Sequence, residues 1–92
     1  MAIAVESSNN GEKVYLIFCP GCKCGHMFDK RWSFNGDLEN PTFRASMLVK
    51  HHRRSLGIIC HSFVTDGKIQ FLNDSTHELS GQTIDLPDFD KI

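Results

Sequence analysis

Residues 57–72 read Gly-Ile-Ile-Cys-His-Ser-Phe-Val-Thr-Asp-Gly-Lys-Ile-Gln-Phe-Leu. Two β-rich runs, 57–65 and 68–72, flank Asp66-Gly67, a pair that accepts the positive φ angles of a type I′ turn. A two-residue loop also fixes the register. It sets Val64 opposite Ile69 and Ser62 opposite Phe71 on one side of the sheet.

Working outward, Lys13–Phe18 (KVYLIF) reads as a buried strand running into Cys19-Pro20-Gly21-Cys22-Lys23-Cys24-Gly25-His26, too rich in Gly and Pro for regular structure. Met27-Phe28 and Trp32-Ser33-Phe34 form a possible strand pair. Asn35-Gly36 and Asn40-Pro41 mark turns, and Ser46–Lys50 reads as a further strand. Residues 73–82 can hold one helical turn capped by Ser75 or Thr76, and Thr83–Leu86 a last short strand stopped by Pro87. No stretch sustains a 3.6-residue apolar period. The expected fold is mostly β: a small, zinc-stabilised antiparallel sheet. Residues 1–12 form a flexible leader, 13–87 a single metal-stabilised domain and 88–92 an acidic tail.

The 92 residues suit one domain of modest core, of the size that often needs a metal or disulfide as a staple. There is no apolar run long enough for a membrane span and no secretory signal at the start, which points to the cytoplasm. In a reducing compartment structural disulfides are rare, so Cys19, Cys22 and Cys24, crowded together with Cys60 far away, point to metal rather than to bridges. Net charge is −1, with no global pull toward nucleic acid. Residues 1–54 nevertheless hold eight Lys/Arg against five Asp/Glu, with the excess peaking at Lys50-His51-His52-Arg53-Arg54. Such a run is a solvated loop or, alternatively, a phosphate contact.

Cys19-Pro20-Gly21-Cys22 at a strand end has the form of a zinc knuckle, in which two thiolates converge on one ion. A redox dithiol shares the spacing but normally precedes a long helix, and none is expected here. A closed site needs two more ligands from Cys24, His26, Cys60, His61 and His77. Cys60 is the first choice. His61 adjoins it, but neighbours on a regular strand point to opposite faces, so both ligate only where the strand begins or bulges. On a regular strand His77 or His26 is the better fourth ligand and His61 lies on the other face. The assignment adopted is Cys19, Cys22, Cys60 and His61 with zinc, keeping His77, His26 and Cys24 in reserve. Asp74 and Glu78, near His77, form a surface turn and a cap or, alternatively, orient a ligand imidazole.

The strings CPGC at 19–22, WSFNGDLENPTF at 32–43, CHSFVTDGKIQFL at 60–72 and THELSGQTIDLP at 76–87 resemble a family of small phage and prophage proteins of unknown function. Some of its members carry the label ammonia monooxygenase. The resemblance spans residues 14–88. It implies a phage or prophage origin, a zinc-ribbon-like fold, and Cys19, Cys22, Cys60, His61 and His77 as site residues, with His26 beside them. Ser75 stands where similar proteins often have Cys, and Ala45 where many have Pro. A short chain with one thiolate-rich site lacks the membrane spans and copper ligands that the monooxygenase label would require.

Three functional readings follow. A closed structural zinc would leave the β surface to bind a host or phage protein, a non-enzymatic accessory role, and this reading leads. Lys50, Arg53 and Arg54, with Trp32 or Phe43 for stacking, would serve a nucleic-acid binder. His61 and His77 with an open metal position, and Asp74 or Glu78 as general base, would make a metal hydrolase. The sequence names neither the partner nor the oligomeric state.

Overall fold

Asp66 and Gly67 adopt φ angles of 48° and 76°, so the Asp-Gly pair closes the hairpin that its sequence dictates. The structure, a computed structural model, describes residues 2–51 and 58–89. Its described strands are β1 (Val5–Asn9), β2 (Glu12–Cys19), β3 (Cys24–Phe28), β4 (Ser33–Phe34), β5 (Phe43–His51), β6 (Ile58–Thr65), β7 (Lys68–Phe71) and β8 (Thr83–Asp85). All pairings are antiparallel, in a three-stranded sheet of order β1-β2-β3 and a five-stranded sheet of order β4-β5-β6-β7-β8. The architecture is mostly β, and its size and cysteine-histidine cluster are compatible with a zinc-ribbon-like fold. No helix among the described residues is long and apolar enough to cross a membrane.

Across β6 and β7 the register pairs Val64 with Ile69 and Ser62 with Phe71, as the two-residue loop requires. All four are buried. Residues 5–9, read as part of a loose polar leader, pair with β2 from Val5–Leu16 to Asn9–Glu12. Ala4 beside them is fully buried, and its N–H donates to the Leu38 carbonyl. The expected helical turn in 73–82 is instead a series of tight turns, with Ser80 N–H donating to His77 O and Gln82 N–H to Leu79 O. The proposed pairing of 27–28 with 32–34 is replaced: β3 pairs with β2, and β4 with Phe43 and Arg44 of β5. In the acidic tail, Phe89 N–H donates to Ala2 O, while 90–92 lie outside the described residues.

The two sheets meet across aromatic rings. Phe28 of β3 stacks on Phe43 of β5 with centroids 4.0 Å apart, and Phe34 stacks on the same ring at 4.8 Å. Tyr15 of β2 lies against Phe34 at 4.3 Å, and Trp32 meets Phe28 edge-on at 5.2 Å. Phe43 is therefore the shared ring of the inter-sheet core, and at 2% exposure it has no face for a nucleobase. One irregularity matters for the site. Between Phe43 and Met47 the β5–β6 register shifts, and the Arg44–Ala45 peptide is cis.

Phe43→Ala should cost about 3–5 kcal/mol, because it empties the centre of this stack. In a chain of this size that lowers Tm by more than ~10 °C, measurable by thermal unfolding. A shift of only a degree or two would show that the sheets are held together elsewhere.

Candidate functional site

Two clusters share strand β6, one on each face. On the inner face, Cys19 ends β2, Cys22 lies in the following turn, His26 is in β3 and Cys60 is in β6. The candidate ligand atoms of these four residues lie within 4.8 Å of one another. The β2–β3 register pairs Ile17 with His26 and Cys19 with Cys24, so His26 falls on the buried face with Ile17. The turn is tied by Lys23 N–H to Cys19 O at 2.8 Å and by Cys22 N–H to Cys19 Sγ at 3.4 Å. Gly21 is required there, since a Cβ would lie 2.3 Å from the His77 ring.

The geometry fits a metal and not a disulfide. Cys19 and Cys60 Sγ are 3.8 Å apart, all four cysteines are free of disulfides, and a bridge needs about 2.05 Å. Tetrahedral zinc with bonds of ~2.3 Å to sulfur sets its thiolates about 3.8 Å apart. Without a cation the three thiols cannot all ionise. Hydrogen bonds from Cys22 and then Cys60 hold the Cys19 thiol far below its ordinary value. The interaction with Cys19 pushes Cys22 far up and Cys60 to about 12. A divalent ion reverses that balance by accepting every thiolate at once. His26 Nε2 is buried without a hydrogen-bond partner, a costly state that a ligand role would explain. The Cys₃His donor set is compatible with zinc.

His61, chosen as fourth ligand from the sequence, is turned away from this group. At Cys60 and His61 the β5–β6 ladder is regular, pairing Val49 with Cys60 and Leu48 with His61, so the two side chains face opposite ways. His26 takes the position expected of His61. His77 also lies outside the four; its Nδ1 accepts from Leu79 N–H at 3.2 Å, and its ring packs edge-on against Phe71. Cys24 is not part of the group either. Lys50 is exposed on β5, whereas Arg53 and Arg54 lie outside the described residues. Trp32 is half-buried, and its indole N–H donates to Ser46 O at 3.3 Å.

The second cluster is on the outer face. His61 Nδ1 lies 2.9 Å and 3.2 Å from the two carboxylate oxygens of Asp74, and His61 Nε2 lies 3.1 Å from Ser46 Oγ. This pairing assigns Nδ1–H as donor to the carboxylate and leaves Nε2 to accept the Ser46 hydroxyl proton. The chain beyond β7 makes the arrangement possible. Leu72 N–H donates to His61 O, and Thr76 N–H donates to Ile59 O, each at 2.8 Å. Ser75 Oγ accepts from His61 N–H and donates to His61 O, both at 3.0 Å. Residues 72–76 thus continue the sheet beside β6 and hold Asp74 against the imidazole. Ser75 is a buried clamp on the His61 backbone.

Ser46 was not singled out from the sequence, which carries no motif around it. Its position depends on the register shift before Met47, and that shift has no local signature. Asp74, offered with Glu78 as able to orient an imidazole beside His77, lies instead against His61.

Protein purified without added metal should carry about one zinc per chain by mass spectrometry. His26→Ala should lose it, whereas His61→Ala should retain it. The opposite pattern would restore His61 to the metal and remove the basis for the outer cluster.

The model of a protein family described as bacterial ubiquitination-like system serine protease (BubE) matches residues 1–72. No curated protein and no solved structure matches the chain. The matched span contains all four residues of the inner cluster together with Ser46 and His61, and Asp74 lies two residues beyond it. On the breadth of that match, the chain belongs to the BubE family of bacterial ubiquitination-like system serine proteases.

Proposed function

We propose that the protein is a serine hydrolase, a protease whose nucleophile is Ser46, whose general base is His61 and whose orienting carboxylate is Asp74. The observation that carries this reading is the single imidazole hydrogen-bonded on one side to a carboxylate and on the other to a serine hydroxyl. This constellation is recognised by geometry and not by order along the chain. The leading expectation of a non-enzymatic binding module gives way to an enzyme that must still bind a protein, now as its substrate. The hydrolytic alternative keeps His61 but moves the chemistry from a metal-bound water to a serine. The phage or prophage origin implied by the sequence resemblance is independent of this chemistry.

In the first half-reaction Ser46 Oγ attacks the scissile carbonyl carbon while His61 Nε2 takes the hydroxyl proton. The C–N bond then breaks, the leaving amine takes that proton from Nε2, and the acyl group remains on Ser46 as an ester. Water attacks this ester carbonyl, giving its proton to Nε2; the C–Oγ bond then breaks, Nε2 returns that proton to Ser46 Oγ, and the acyl group leaves as the carboxylic acid. Asp74 holds the imidazole in the tautomer that can accept at Nε2 and stabilises the imidazolium between steps.

Zinc held by Cys19, Cys22, His26 and Cys60 has a structural role in this reading. Four protein ligands close the ion to substrate. They tie β2 and β3 to β6 one residue before the catalytic His61. The family description places such proteases in a bacterial ubiquitination-like system, and the proposed substrate is accordingly a protein of such a system.

Ser46→Ala and His61→Ala should each lower kcat by ~10³-fold or more on a peptide substrate. Asp74→Asn should cost about 10–100-fold, less than loss of a fully buried triad carboxylate, because the Asp74 side chain is 61% exposed and water screens it. Zinc content should be unchanged in all three. A fully active Ser46→Ala protein would end this reading.

A further inference from the structure

The outer face around His61 is apolar where a polar, solvated surface would be the default. Leu48, directly across the ladder from His61, is 50% exposed, and Phe63, two residues along β6 on the same face, is 39% exposed. Of the three large hydrophobic residues that stand exposed among the described residues, the third being Met27, these two flank the general base. Their strand neighbours Met47, Ser62 and Val64 point inward and are buried, so strand alternation forces Leu48 and Phe63 outward. They contribute nothing to the inter-sheet core.

Beside them β5 has an open edge. On that side β4 pairs only with Phe43 and Arg44, and no strand among the described residues pairs with 46–50. Ser46 lies at the start of this free edge, its carbonyl anchored by the Trp32 indole. An unpaired edge offers backbone N–H and C=O groups to an extended chain, and alternate side chains of such a chain fall on one face of the sheet. A chain added here would lay every second side chain over the face that carries Leu48, within reach of the nucleophile.

We infer that the site takes an extended peptide along the open edge of β5 and selects an apolar side chain within two residues of the scissile carbonyl, received by Leu48 and Phe63. The inference rests on Ser46 being the nucleophile. It commits the exposed apolar pair to one occupant, a substrate side chain, because the pair is continuous with the triad and adjoins the edge that would bind the backbone.

The test uses internally quenched peptides with a Ser-rich background, carrying Leu in turn at each of the four positions around the scissile bond. Wild-type protein should prefer at least one Leu peptide to the all-Ser peptide by ~10-fold or more in kcat/KM, the scale at which apolar pockets discriminate. Leu48→Ser and Phe63→Ser, both at exposed positions where folding tolerates polar residues, should shrink that ratio toward one. Direct binding of the preferred peptide to Ser46→Ala protein, read by fluorescence anisotropy, should weaken in parallel when Leu48→Ser is added. Turnover by wild type with no Leu preference, or a preference untouched by both substitutions, would overturn the inference while leaving Ser46 in place. Absence of any Ser46-dependent turnover would overturn the serine reading, and this inference with it.

Discussion

The alternation of side chains along β6 is the constraint on which the molecule depends. Cys60 and His61 are adjacent in the chain and opposite in space because the ladder through Val49–Cys60 and Leu48–His61 is regular. One faces the thiols of the three-stranded sheet, and the other faces Ser46 and Asp74. A bulge at this point would bring both to the same side and leave either the cysteine-histidine group or the Asp74–His61–Ser46 chain incomplete. The irregularity is placed instead between Phe43 and Met47, where it sets Ser46 beside the imidazole without disturbing β6.

The inner cluster and the aromatic core tie the same two sheets at different places. The cysteine-histidine group joins the β2–β3 end to β6, and the Phe28–Phe43–Phe34 stack joins β3 to β5 and β4. Both strands that carry residues of the proposed triad are therefore fixed from behind, β5 by ring stacking and β6 by the thiol group. Asp74 lacks that support. It is held from the front by a short run of chain that pairs with β6 through Leu72, Ser75 and Thr76, and it remains largely exposed. Its effect on His61 is accordingly the most accessible to water.

Much of the fold was legible because its central turn has strict chemistry. Asp66-Gly67 fixes a two-residue loop, and the pairs Val64–Ile69 and Ser62–Phe71 follow from counting. The cysteine spacing likewise pointed to Cys19, Cys22 and Cys60, which the structure brings together. The same alternation rule gave two outcomes for His61, and the structure realises the one in which it faces away. His26 was hard to choose because the Gly/Pro-rich turn hid the strand that starts at Cys24 and sets His26 opposite Ile17. Ser46, and the placement of Asp74 against His61, were illegible for different reasons. A register shift has no residue signature, and residues 72–76 pair with β6 through single bonds and side-chain hydroxyls without strand periodicity. Polar segments such as 5–9 also conceal edge strands, whose outward residues need not be apolar.

The most direct test of the account is covalent. Zinc-loaded protein is treated with a fluorophosphonate, which phosphonylates activated serine hydroxyls, and the modified residue is mapped by mass spectrometry. The account predicts one adduct per chain, on Ser46, abolished by His61→Ala while the zinc remains bound. No adduct, an adduct on another serine, or labelling of Ser46 that is indifferent to His61 would contradict the claim that β6 separates a structural metal from a serine nucleophile's base.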